Sequence, residues 1–370
     1  MIKTILILVE NNFSQRDYER FGVDYFKQKG FDVEIFDLTY LINPELYQKN
    51  HLDSVQICYP QNFFQFFIEI YKKKHSHFIA HLGNGKIINH FIYATLFFCK
   101  IAYTKTKLAP HPYTGIILKT LIDKFFSAAK NPYKLILYFF SRLLPLDTPK
   151  YYLLAGTQTI SKYLNTKVIH TGSMDYQLFS RYSQFPPQQK HIVFLDEFEP
   201  FHPDYKRSKE PNPISPEKYY PLLSSFFLKI ELIYGQKVII AAHPRADETL
   251  YKFFFNNRCI KKGITAELVR DASLVLAHSS TAISFAVLWK KPIILLTLDS
   301  FEKIYQGPLM NYIQKTLDLT KVNIVKEVPT EIPVPNVEKY SEYINRFILS
   351  DRAKVYSPWE ALIQTWESQD

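Results

Sequence analysis

Glycine is scarce in this chain, with 10 in 370 residues, and cysteine is scarcer, with three. Cys58, Cys99 and Cys259 are odd in number and show no C-x-x-C spacing, which argues against a disulfide framework and a structural zinc site and fits a reducing cytoplasm. Gly83-Asn84-Gly85-Lys86 is glycine-rich but has the spacing of neither a Walker A loop nor G-x-G-x-x-G. No uninterrupted apolar stretch reaches the ~18 residues that span a bilayer. The opening MIKTILILVENN holds an apolar run of only about seven residues, lacks a small-residue cleavage site and runs into Glu10, so it reads as a buried strand rather than a signal peptide. No internal repeat is present.

A formal net charge of +10 is compatible with an anionic partner, but Lys and Arg are spread along the chain without a dense basic block. That pattern argues against nucleic acid and leaves a phosphorylated small molecule or an acidic membrane surface. With 47% hydrophobic and 22% charged residues the chain is globular, and its length suits two α/β domains.

The first half opens β-α-β. Thr4–Val9 is a continuous β-rich run, and residues 14–29 place Tyr18, Phe21, Tyr25 and Phe26 at helical spacing with Gly30 as C-cap. Further strands are expected at 32–36, 78–81, 152–155 and 167–170. A second series follows: strands at 191–195, 237–242, 274–277 and 292–297, with helices at 216–234, 265–271 (Thr265 as N-cap) and 280–289. The expected fold is α/β: two facing Rossmann-like domains with mostly parallel sheets, 1–185 and 186–370, joined by the Pro/Gln linker SQFPPQQK.

Residues 97–149 stand apart. Lys100, Lys105, Lys107, Lys119, Lys124, Lys130, Lys134 and Arg142 oppose only Asp123 and Asp147 among aromatic and aliphatic clusters. Two readings are open: core-facing helices with solvated lysines, or a basic amphipathic surface resting on the inner face of the plasma membrane.

Three constellations follow predicted strands of the second half. Asp196-Glu197, after HIVFL, offers a general base or a loop cap. His243-Pro244-Arg245, after KVIIAA, combines an imidazole that titrates near neutrality, a fixed turn and a planar donor fork suited to phosphate. His278-Ser279-Ser280-Thr281, after LVLA, sets three hydroxyls at a predicted helix start, either as simple caps or as a metal-free phosphate site. On the acceptor side the signals are weaker: Glu10 and Asn11 at the end of the first strand, and the Gly83-Asn84-Gly85 loop.

Taken in order, the acidic pair, His-Pro and Ser-Ser-Thr motifs resemble those of the bacterial sialyltransferases and Kdo transferases of GT-B fold. The likeness covers about residues 190–300, and Phe198 stands where that family has Gly. The resemblance implies a CMP-activated nonulosonic acid or Kdo as donor, a cell-surface or lipid-linked glycan as acceptor, and neither cofactor nor metal. It implies Asp196 as base, with Glu197 beside it, His243 facing the leaving phosphate, and Ser279, Ser280 and Thr281 binding it. The His-Pro-Arg and Ser-rich elements are also similar to CDP-glycerol glycerophosphotransferases. Another donor (a UDP- or GDP-sugar, or CDP-glycerol) and a non-catalytic nucleotide- or glycan-binding module therefore remain the alternatives.

Overall fold

The structure, a computed structural model, describes residues 4–49, 51–82, 87–109, 148–157, 166–202, 212–244, 246, 248–255, 258–302 and 306–368. Its described strands form two sheets with every pair parallel. The first contains β1 (Thr4–Val9), β2 (Asp32–Asp37), β3 (Gln56–Cys58), β4 (His77–His81), β5 (Tyr103–Lys107), β6 (Tyr151–Ala155) and β7 (Lys167–Thr171), in the order β3-β2-β1-β4-β5-β6-β7. The second contains β8 (His191–Leu195), β9 (Val238–Ala242), β10 (Ile260–Lys262), β11 (Ala272–Ala277), β12 (Ile293–Thr297) and β13 (Thr320–Asn323), in the order β10-β9-β8-β11-β12-β13. Strand order therefore reverses between β1 and β4 in one sheet and between β8 and β11 in the other. At such reversals the crossover helices diverge and leave a crevice at the strands' carboxyl ends.

Strand periodicity explains the layering. Ile5, Ile7 and Val9 join one buried cluster while Leu6 and Leu8 join the one on the opposite face, so both faces of β1 need a helical cover. In the second sheet, Ile192 and Phe194 face the helix Pro216–Tyr234, and Val193 and Leu195 face the other layer.

The helix expected over 14–29 is two helices, Gln15–Arg20 and Val23–Gln28. Ser14 and Asp17 form a reciprocal capping box at the first, and Gly22 separates the two in the left-handed region, at φ 62°. The break makes room for Trp359, whose indole fills the space a Gly22 side chain would need and donates to the Arg20 carbonyl at 2.8 Å.

Trp359 belongs to the helix Pro358–Glu367, which packs Leu362, Ile363 and Trp366 against the first sheet. The helix Met174–Tyr182 does the opposite, laying Tyr176, Leu178, Phe179 and Tyr182 against the second sheet's core. The expected division at 185/186 thus separates the sheets but not their helices. Each sheet borrows one cover from the other half of the chain.

Within 97–149 the described part is not a helical pair. Tyr103–Lys107 is strand β5, and Lys105 is 2% exposed with its ammonium 4.5 Å from the Tyr93 ring centroid. The remainder, 110–147, lies outside the described residues. Two helix starts also differ from expectation. Ile264 rather than Thr265 is the N-cap of Thr265–Arg270, and the helix expected from 280 begins at Ile283, with Ala282 as N-cap.

Gly22→Ala and Gly30→Ala both place a Cβ on a left-handed backbone, but only at Gly22 does it meet a neighbour. Urea unfolding should show Gly22→Ala less stable than Gly30→Ala by roughly 1–3 kcal/mol, the usual cost of overpacking a filled site. Equal losses would mean that Trp359 does not depend on the missing side chain.

Candidate functional site

The three sequence motifs end three adjacent strands, β9, β8 and β11, with the acidic pair in the middle. In register Leu195 lies beside Ala241 and Ala277, so the residues that follow leave the sheet side by side at the β8/β11 reversal.

Consecutive side chains of the acidic pair separate as an extended backbone requires. Asp196, 4% exposed, turns back on its own loop, where Oδ2 accepts from the Phe198 amide at 3.1 Å. Phe198 sits in the left-handed region at φ 58°, the position where the resembled family has Gly. Glu197 reaches across to β11 instead. Its Oε1 accepts from the Ser279 amide at 2.6 Å, and its Oε2 accepts from the Ser279 hydroxyl at 2.9 Å. Burial, and then the nearby Glu199, push its carboxyl up to about 8 even though both Ser279 bonds act to lower it. Glu197 thus stands at the strand ends with a carboxyl raised toward neutrality and turned to β11. Tyr219 and Tyr220 pack beneath this loop, and burial with the charges of Asp196 and Glu199 raises both phenols.

His278 departs from the expected phosphate role. It is fully buried, Nδ1 donates to the Leu296 carbonyl at 2.6 Å, and Nε2 therefore accepts from the Tyr219 hydroxyl at 2.8 Å. Burial lowers its pKa to about 4, so it is a neutral core residue with both nitrogens used. Ser279 is engaged by Glu197. Ser280 accepts from the Ala282 amide at 3.3 Å and so caps the turn, while Thr281 is exposed. A small cavity of about 10 Å³, room for one water, lies against Ser279, Ser280, Thr281 and Tyr343, whose buried hydroxyl has no hydrogen-bond partner among the described residues.

His243 is half-buried, its ring 5.4 Å from that of His202, and Pro244 is exposed in the turn after β9. Arg245 lies outside the described residues, as do Gly83, Asn84 and Gly85.

On the first sheet, Glu10 follows β1 at that sheet's own reversal, and its buried Oε2 has no hydrogen-bond partner among the described residues. Asn11 follows it, half-buried. The neighbouring strand end supplies a residue that motif reading passed over. His81 pairs in register with Val9 and bonds the Thr106 hydroxyl through Nδ1 at 2.8 Å; burial lowers its pKa, while Glu10 and Asp17 act to raise it. Its position at the end of an expected strand was the available signal. Among the described residues no group of acids, histidines and cysteines has metal-binding geometry. A larger cavity of about 710 Å³, bordered by Arg20, Tyr176, Arg181 and Trp359, includes none of the three motifs.

No protein-family model matches the chain, and no curated protein matches it in sequence. Among solved structures it is similar to the glycotransferase of kitacinnamycin, with a TM-score of 0.57 and 9% identity over 99% of both chains. It is also similar to the spinosyn forosaminyltransferase SpnP, with a TM-score of 0.51 and 8% identity over 100% of this chain and 99% of that one. The wall teichoic acid polymerase TagF gives a TM-score of 0.51 and 12% identity over 99% of this chain and 89% of that one. At such identities the likeness establishes the fold: α/β of the GT-B type, with two sheets of parallel strands.

The raised Glu197 carboxyl has a stability consequence. Between its ordinary 4.5 and about 8 the folded state holds a proton that the unfolded chain has released, so stability falls as pH rises through that window. His278 and His77, lowered to about 4 and about 3, act oppositely but only below 6.5. Urea midpoints measured between pH 6.5 and 8 should therefore fall in the wild type, and Glu197→Gln should flatten that slope. An unchanged slope would show that Glu197 ionises normally.

Proposed function

We propose that the protein transfers an acidic sugar, a nonulosonic acid or Kdo, from a CMP-activated donor to a cell-surface or lipid-linked glycan on the cytoplasmic side. The observation that carries this reading is the meeting of the acidic pair, His243 and the Ser279–Thr281 turn at neighbouring strand ends, at the sheet reversal where ligands of open α/β sheets bind. In this reading Glu197 rather than Asp196 is the base. It takes the proton of the acceptor hydroxyl as that oxygen bonds the anomeric carbon. The bond from that carbon to the CMP phosphate breaks, and His243 meets the charge on the departing phosphate. Asp196 is a positioning residue that holds the Phe198 turn. Thr281 and the turn it opens contact the phosphate, with Ser279 held in place by Glu197. No metal takes part, so transfer should persist in chelator.

A uridine nucleotide is the second reading. It is favoured by the likeness to a solved S. aureus MnaA–UDP structure, with a TM-score of 0.50 and 8% identity over 100% of this chain and 98% of that one. CDP-glycerol and GDP-sugars belong to the same test.

Calorimetric titration with CMP, UDP and GDP should rank CMP first, and His243→Ala should weaken CMP by roughly tenfold or more, the loss of one charge-assisted hydrogen bond. Glu197→Gln should lower transfer by about 100- to 10,000-fold with CMP affinity nearly intact, and wild-type transfer should climb until about pH 8. Preference for UDP would move the assignment to the second reading. Binding with no turnover of any donor would make the protein a nucleotide-binding module.

A further inference from the structure

The helices Phe63–Lys72 and Ile87–Phe98 cover the same face of the first sheet. Phe66 and Ile70 of one, and Ile92 and Leu96 of the other, are buried against it. One apolar stripe is all a covering helix needs. The first helix carries a second stripe, Phe64, Phe67, Ile68 and Tyr71, at i, i+3, i+4 and i+7, with Phe64 75% exposed and Phe67 and Tyr71 also exposed. The second helix repeats the device with Phe91 and Phe98 seven residues apart, Phe98 being 68% exposed, and Phe97 exposed beside it. The rings connect. Phe67 stacks on Tyr71 at 6.2 Å, Phe63 meets Phe91 across the two helices at 5.7 Å, and Phe97 meets Phe98 at 5.6 Å.

Single exposed aromatics are ordinary, but six exposed aromatic rings (Phe64, Phe67, Tyr71, Phe91, Phe97 and Phe98) on two helices in contact mark a surface that something covers. Its charge indicates what. Between Ser54 and Ala102 the sequence holds five lysines against one acid, Glu69. Lys72 pairs with Glu69 and Lys73 with Glu34, whereas Lys74, its ammonium 4.8 Å from the Tyr71 ring centroid, and Lys100 make no ion pair among the described residues. The helix Ile87–Phe98 has no charged residue at all. Aromatic rings rimmed by lysines are the composition that settles at the boundary of an anionic bilayer. No described helix is long and apolar enough to cross one.

We propose that the outer face of these two helices is the surface by which the protein docks on an anionic membrane. The proposal does not depend on which donor the strand-end site binds. It also shifts the membrane contact expected from 97–149 onto an earlier part of the chain, with only Phe97, Phe98 and Lys100 in common.

Co-sedimentation of the full chain with phosphatidylcholine vesicles, with and without phosphatidylglycerol, tests it. The protein should sediment with the anionic vesicles and be released by salt, because exposed charges are screened within ~8 Å at physiological ionic strength. Phe64→Ser and Phe98→Ser should each weaken partitioning by roughly tenfold. Lys74→Glu with Lys100→Glu should remove the preference for anionic lipid. Both lysines are exposed, so this charge pair leaves the core intact and carries the test if a Phe variant melts early. Equal recovery from both vesicle types, or Phe variants that partition like wild type, would overturn the proposal. So would light scattering that finds a wild-type dimer made monomeric by the same Phe changes, because a second copy would then be the cover.

Discussion

Asp175, buried at the start of the helix Met174–Tyr182, receives Arg20 from the first sheet's opening helix at 2.6 Å and the Ser284 hydroxyl from the helix behind the second sheet's site at 2.5 Å. One carboxylate thus joins three segments, one of which, Ile283–Leu288, follows directly on the Ser279–Thr281 motif. A buried charge is tolerable only when paired and hydrogen-bonded, and removing one partner typically costs about 3–5 kcal/mol. The same Arg20 lends its carbonyl to Trp359, so the borrowed helix Pro358–Glu367 is tied to the same node. The relative placement of the two sheets therefore rests on a few directional bonds as well as on apolar burial.

At the strand ends, burial divides the polar groups by task. His278 is desolvated into neutrality and serves the core, and Asp196 serves its own turn. Glu197 remains at the rim with its proton held by burial and by Glu199, and it occupies both hydrogen-bonding groups of Ser279. Such a carboxyl sits between two states near neutrality, which suits proton exchange with a bound hydroxyl.

Much of the architecture is legible in the sequence. His191–Leu195 and Pro216–Tyr234 match expectation to the residue because a buried parallel strand is continuously apolar, and because Gly235, at φ 66°, stops the helix. Short edge strands such as Gln56–Cys58 and Ile260–Lys262 carry no such run and pass unseen. Tyr103–Lys107 alternates Tyr, Thr and Lys, and only its buried position between β4 and β6 explains it. The motifs' convergence was legible from their places at strand ends. The fate of His278 was not, since it is decided by Tyr219, 59 residues away in the chain. Nor does sequence distinguish Asp196 from Glu197, because which one turns toward β11 depends on the left-handed Phe198 that follows.

The return of the helix Pro358–Glu367 to the first sheet also governs the order in which the molecule can be completed. Strands β1 to β7 leave the ribosome well before this helix, yet the face bearing Phe13, Phe26 and Ile35 is sealed only when Trp359, Leu362 and Trp366 arrive. At ~5–20 residues per second that face waits for on the order of half a minute. During that interval the nascent chain carries a half-covered parallel sheet. Closure of that face therefore follows synthesis of the helix Pro358–Glu367 rather than of the sheet it covers.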